Sequence, residues 1–196
     1  QKDLEFFVKQ FSFPLTESQE KSLAAIFSDT KTGTPMSRLL EGDVGSGKTA
    51  VAAVLSYAAA ITRPYIKTEK KIQEFGTLQV AYMAPTEILA KQHFENFCEY
   101  FKDTGLSLAL ITGSGCYKYP SKARPGESTN ISRAQLSKWV ANGEIAIVIG
   151  THALIQKNVQ FKHLALCIID EQHRFGVKQR KALVQKKGAA GEEAVP

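Results

Sequence analysis

The octapeptide Gly42-Asp43-Val44-Gly45-Ser46-Gly47-Lys48-Thr49 matches G-x-x-x-x-G-K-[ST] at every fixed position, and it constrains the fold more than any other stretch of the chain. The pattern has meaning where a strand feeds a loop that closes onto a helix N-terminus. The flanks read that way: 38–40 as a short strand and 48–61 as a helix. A triphosphate concentrates negative charge, and backbone amides gathered at a helix start form a counter-field that is already in place. Gly42, Gly45 and Gly47 permit the close approach and the dihedrals that a side chain would block. Lys48 is expected to reach the β- and γ-phosphates and the Thr49 hydroxyl to ligate Mg²⁺. The loop therefore predicts ATP and Mg²⁺ as cofactors without saying what the energy is used for. Its bland alternative is a glycine-rich turn that merely caps a helix.

The remaining pattern alternates. Strands are expected at 78–84 and 107–112, helices at 87–101 and 132–142, and continuous apolar runs occupy 145–149 and 164–169. Such runs suit strands covered on both faces of a parallel sheet. Strands alternating with helices imply crossover connections, so the expected fold is an α/β three-layer sandwich around a central, mostly parallel sheet. Ahead of it, Thr16 and Gln19 have the spacing of a capping box for a helix at 17–27, and Ser132 with Gln135 repeats that spacing. The segments 62–76 and 115–130 read as surface loops, the first basic and the second rich in Gly, Pro and Ser. The chain thus divides into a lead-in with a helix at 1–36, a nucleotide-binding lobe at 37–187 and a flexible tail at 188–196.

A second chemical signal lies at 164–171. The apolar run Leu164-Ala165-Leu166-Cys167-Ile168-Ile169 delivers Asp170 and Glu171 at its end. In open α/β sheets the carboxyl ends of strands face the ligand crevice. Asp170 can hold Mg²⁺ through its water shell, and Glu171 can orient the water that attacks the γ-phosphate. Gln172 and His173 follow directly, within reach of a γ-phosphate; an ordinary exposed loop histidine is the alternative for His173. Catalysis is accordingly assigned to Glu171, Lys48, Asp170 and His173.

The string Asp170-Glu171-Gln172-His173-Arg174-Phe175-Gly176-Val177-Lys178-Gln179-Arg180 resembles the acidic motif of RecG-type DNA helicases, a superfamily 2 family. Further segments agree in chain order: Phe13-Pro14-Leu15-Thr16 with Gln19, the phosphate loop, Ala84 through His93, and Gly150-Thr151-His152-Ala153-Leu154-Ile155-Gln156. The resemblance implies the first RecA-like motor lobe of an ATP-dependent helicase acting on branched or forked DNA in recombination and repair. It implies that Gln19 recognises adenine, where the residue pattern alone offers a capping role as well. It further implies DNA-backbone contacts around Thr86, Glu87, Thr112, Gly113, Ser114, Thr151 and His152, with helix capping as the other reading of Thr86. Loops at strand ends that offer hydroxyls and amides suit phosphate contacts, which track a strand without reading sequence. The family's second motor lobe and wedge domain would be partners within the same longer protein, which the starting residue, Gln1, also suggests. A translocase lobe of a transcription-repair coupling factor and a non-motor P-loop ATPase are the competing readings.

Bulk composition adds less. Lys and Arg number 25 against 19 Asp and Glu, and the resulting charge of +6 suits an anionic partner. The longest strongly apolar stretch, 50–61, is too short to span a bilayer, so no membrane partner and a cytoplasmic location are expected. Cys98, Cys116 and Cys167 are widely spaced and read as small buried side chains.

Overall fold

The computed structural model describes residues 2–31, 35–43, 45–62, 77–124 and 126–185. They fall into two units, one formed by Gln1–Ala58 and the other by Ala59–Ala194. Most of the 62–76 segment and the 188–196 tail lie outside the described residues.

The first unit is helical. Helix α1, Lys2–Lys9, buries Phe7, whose ring stacks on Tyr57 at 4.2 Å and meets Phe11 edge-on at 5.3 Å. Helix α2, Glu17–Thr30, starts at the expected capping box: Gln19 N–H donates to Thr16 Oγ1 at 3.3 Å, and Thr16 N–H donates back to Gln19 Oε1 at 2.8 Å. Two otherwise orphaned amides are thereby satisfied. Leu23 and Ile26 turn into the core. Helix α3, Lys48–Ile61, buries Ala50, Val51, Ala53 and Val54, small residues that allow close packing. The expected strand at 38–40 does not form. That segment has no regular structure, Leu39 is 58% exposed, and Arg38 instead clasps Asp29 at 2.8 Å. Three residues acquire strand character through ladder partners, and among the described residues these have none.

The second unit is built on a six-stranded sheet of order β4-β3-β2-β5-β1-β6. Strands β1 (Gln79–Met83), β2 (Leu108–Ile111), β5 (Ile147–Gly150) and β6 (Leu164–Ile169) run parallel. Strands β3 (Cys116–Tyr119) and β4 (Thr129–Asn130) add an antiparallel edge. Side chains alternate between faces. Ala81, Met83, Ala109, Ile111 and Val148 form one core with Leu136 and Val140 of α5 (Arg133–Ala141) and Leu183 of α6 (Val177–Val184). The opposite face carries Tyr82, whose ring meets Phe97 of α4 (Glu87–Tyr100) edge-on at 5.5 Å. Helices thus cover both faces, as the RecA-like α/β sandwich requires.

Two expectations need correction. The stretch 115–130 is not simply a surface loop: it contains β3 and β4, with Cys116, Lys118, Tyr119 and Ser121 buried. Lys118 disguises the strand, because a buried lysine is rare; here Nζ donates to Pro120 O at 3.0 Å and lies 5.8 Å from the Trp139 ring centroid. The apolar run of β6 is also less covered than β5. Among the described residues it pairs with β1 alone, and its side chains are mostly half-buried, whereas β5 is buried throughout.

Two buried residues lock the parallel strands. The Gln79 amide donates to Val140 O at 3.0 Å and Ile145 O at 2.8 Å, and its Oε1 accepts from Lys162 and His163 N–H at 2.7 and 3.0 Å. All four of its hydrogen-bonding positions are used, which makes a fully buried amide tolerable. At Gly150 a Cβ would sit 2.3 Å from Ile111 O, so the β5 end requires glycine for close approach to β2.

Candidate functional site

In the first unit the phosphate loop is shaped by its own backbone. Gly45 and Gly47 take φ values of +82° and +77°, which side chains resist. Ser46 N–H donates to Asp43 O at 3.1 Å, and the α3 ladder begins with Ala50 N–H to Gly47 O at 2.9 Å. Lys48 Nζ turns back over the loop to Gly42 O at 2.6 Å and Asp43 O at 2.8 Å, and Thr49 occupies the first turn of α3. Val44 lies outside the described residues. Gln19 approaches from α2: its Nε2 donates to Ser46 O at 2.8 Å while Oε1 closes the capping box. A Cβ on Gly47 would fall 2.1 Å from that Nε2, so glycine is what lets helix and loop meet. Thr16, Gln19, Gly42, Ser46, Lys48 and Val51 line a cavity of about 240 Å³.

In the second unit β6 ends in the acidic pair. Asp170 continues the sheet, donating its N–H to Met83 O at 2.9 Å, and its Oδ1 accepts from Glu171 N–H at 3.1 Å. Glu171 adopts a left-handed conformation, φ 44°, which a non-glycine side chain holds at a cost of about 1 kcal/mol or more. Its carboxylate meets Arg174 Nε at 2.8 Å. Gln172 and His173 form a short 3-10 turn with Arg174; His173 is exposed, and Gln172 O accepts from Arg180 at 3.2 Å.

Asp170 Oδ2 has a partner that sequence reasoning gave no role. His93, on α4, brings its Nε2 to 2.8 Å from that oxygen. The only available signal was its position at the end of the Ala84–His93 segment, and the helical pattern offered core packing as sufficient cause. Burial and the neighbouring Asp170 charge both push the Tyr82 hydroxyl up, burial more strongly.

A third cluster joins the strand-end loops. Thr86 caps α4, its Oγ1 accepting from Leu89 N–H at 3.2 Å. The Glu87 carboxylate accepts from Ser114 N–H at 3.2 Å, and the Ser114 hydroxyl, followed by the Gly113 and Ser114 amides, holds that carboxyl below its ordinary value against the opposing effect of desolvation. Gly113, Ser114, Thr86 and His152 are exposed, whereas Thr112 and Thr151 are buried behind them. Thr151 N–H donates to Ile111 O at 3.4 Å, and Arg133 bonds both Thr112 O and Gln156 Oε1, bracing the loops together.

The described residues contain no group of three or more His, Cys, Asp or Glu suited to hold a metal ion by themselves. Mg²⁺ asks for no such group, because it keeps most of its waters and takes one or two protein oxygens together with substrate phosphates. The Thr49 hydroxyl in the first unit and the Asp170 carboxylate in the second are each oxygen donors of that kind. Cys98 and Cys167 are poor nucleophiles and metal ligands, since burial pushes both thiols up to about 12.

Residues 16–191 match the family model described as DEAD/DEAH box helicase, and the chain belongs to that family. Among named proteins it is similar to the ATP-dependent DNA helicase RecG of Aquifex aeolicus (strain VF5), at 44% identity over 179 residues, 91% of this chain and 19% of that protein. The RecG of Bacillus subtilis (strain 168) is likewise 44% identical, over 180 residues, 92% of this chain and 22% of that protein. The Streptococcus pneumoniae RecG is 46% identical over 174 residues, 89% of this chain and 22% of that protein. The chain therefore spans about a fifth of the length of these relatives.

Proposed function

We propose that this chain is the nucleotide-binding motor lobe, 37–187 with the 1–36 lead-in, of a RecG-type ATP-dependent DNA helicase acting on branched or forked DNA. The observation that carries the reading is a complete phosphate loop opening α3 together with an Asp-Glu pair delivered by the last parallel strand, in a chain 44% identical to a RecG helicase over 91% of its length. Mg²⁺, when bound with ATP, neutralises charge on the β- and γ-phosphates.

The chain's own residues then have distinct tasks. The amides of 42–49 cradle phosphate oxygens, and Lys48 exchanges its carbonyl partners for them. Thr49 would ligate Mg²⁺ through its hydroxyl, and Asp170 would do so through water. Glu171 orients the attacking water, its carboxylate held by Arg174. His173, exposed beside it, is placed to sense the γ-phosphate. Gln19 bridges the phosphate loop to the adenine side. Thr86, Gly113, Ser114 and His152 offer hydroxyls, amides and an imidazole to DNA phosphates, with Thr112 and Thr151 supporting them from beneath. Glu87 serves the same surface by fixing Ser114, since a carboxylate repels phosphate. The second motor lobe and the wedge domain belong to the remainder of the longer protein, and the reaction takes place in the cytoplasm.

The test is Glu171→Gln in the intact protein. Fluorescent-nucleotide titration should show ATP binding within about threefold of the unsubstituted protein. DNA-stimulated phosphate release should fall about 10³-fold, the scale of a lost proton acceptor. Turnover at the normal rate would remove Glu171 from the mechanism.

A further inference from the structure

The His93 contact has features that packing does not explain. Helix α4 buries Ala90, Phe94 and Phe97 beside it, so a phenylalanine or leucine would fill position 93 without polar cost. Instead the site holds an imidazole that is 9% exposed, whose Nδ1 is buried without a hydrogen-bond partner among the described residues. Burying a ring nitrogen without a partner disfavours the folded state. What the ring gains in return is one hydrogen bond, from Nε2 to Asp170 Oδ2, across 77 residues of chain.

The surroundings fix that bond's direction. The Tyr82 ring lies 4.8 Å from the imidazole, centroid to centroid, and is itself clamped by Phe97. Asp170 Oδ1 is occupied by Glu171 N–H. With both carboxylate oxygens engaged, rotation of the Asp170 side chain about χ2 would break at least one bond. On the other side, His93 stands seven positions beyond Thr86, close to two helical turns. One helix therefore begins at the exposed Thr86 end and carries the contact to the acid of β6.

The geometry points to His93 as a positioning residue. By donating Nε2–H to Asp170 it fixes the carboxylate orientation that metal-nucleotide binding needs, and it makes α4 the mechanical link between that carboxylate and the Thr86 loop. This rests on the nucleotide-site reading above. His93 itself touches neither nucleotide nor metal. Partners behind a metal-holding group set its orientation, and their loss lowers metal affinity about 10- to 100-fold in comparable sites.

The experiment compares His93→Ala, His93→Gln and His93→Asn in the intact protein, with folding followed by circular dichroism. Manganese affinity is measured by electron paramagnetic resonance in the presence of a non-hydrolysable ATP analogue, and analogue binding is measured separately in EDTA. His93→Ala should weaken Mn²⁺ about tenfold and leave metal-free analogue binding unchanged. A glutamine places its amide nitrogen where Nε2 stands, so His93→Gln should recover Mn²⁺ affinity to within about threefold. Asparagine places its amide near Nδ1, so His93→Asn should behave like alanine. This Gln-versus-Asn contrast remains decisive even if the alanine variant unfolds. Equal Mn²⁺ affinity in all variants, or equal loss in Gln and Asn, would overturn the role given to His93. If the unsubstituted protein failed to bind Mn²⁺ with the analogue, the nucleotide-site reading itself would fall, an outcome readily told apart from the others.

Discussion

The phosphate loop and the acidic strand end are assembled in opposite ways. Around the loop, the bonds that shape the chain are short in sequence: Thr16 to Gln19, Asp43 to Ser46, and Lys48 to Gly42 and Asp43. Gln19 to Ser46, 27 residues apart, is the longer link. The acidic end depends on remote partners. Asp170 is held by His93 across 77 residues, and the β1 start is held by Gln79 bonds spanning 61 to 84 residues. Local geometry tolerates damage elsewhere, because its neighbours in space are its neighbours in sequence. A site gathered from distant strands is only as stable as the sheet that gathers it.

The largest expected effect tests the second half of that comparison. Gln79→Leu keeps the volume but deletes the four hydrogen bonds of a buried amide, and should cost about 3 to 5 kcal/mol in urea unfolding. If it left the unfolding midpoint unchanged, the dependence of β1 and β6 on remote hydrogen bonds would be disproved. Lys48→Ala tests the first half. It removes the ammonium proposed to face the phosphates and should weaken ATP about 10- to 100-fold while leaving the unfolding midpoint nearly unmoved. A large stability loss would show that the loop is less self-contained than its bonds suggest.

Smaller effects sharpen the contrast. Thr16→Ala deletes an N-cap and should cost about 1 kcal/mol, read by thermal melting. Hydrogen exchange should show the loss concentrated in the first turn of α2, and a uniform loss would contradict the local picture. The smallest effect concerns Glu87. Its folded-state pKa is lowered, chiefly by the Ser114 hydroxyl, so its tie to Ser114 is present above the ordinary glutamate range. The tie is lost as pH falls through the depressed folded value. An NMR titration should show the Ser114 amide shifting with a midpoint below that of an unperturbed glutamate, and a midpoint at the ordinary value would remove the tether.

Legibility followed the same divide. Gly45 and Gly47 announced their loop because positive φ values demand that residue type, and Thr16 with Gln19 announced a helix start at fixed spacing. Strand 147–150 was readable from its apolar run, since burial on both faces leaves an unbroken signature. The failures were of another kind. The 38–40 strand rested on three residues whose conformation depends on a neighbour. The β3 edge was hidden because its lysine is accommodated by packing that no spacing reveals. His93 was given no role, since nothing in 87–100 indicates that an acid at 170 will arrive beside it.

The sequence by itself determined the phosphate loop, the capped helix starts at 17, 87 and 133, and the parallel runs that deliver Asp170 and Glu171. Each follows from backbone stereochemistry or periodic burial within a few residues. Tertiary structure alone decided which histidine holds Asp170, why Gly150 must lack a side chain, and that Gln79 closes four hydrogen bonds. Those outcomes depend on distances between segments far apart in the chain, and such distances exist once the sheet has formed.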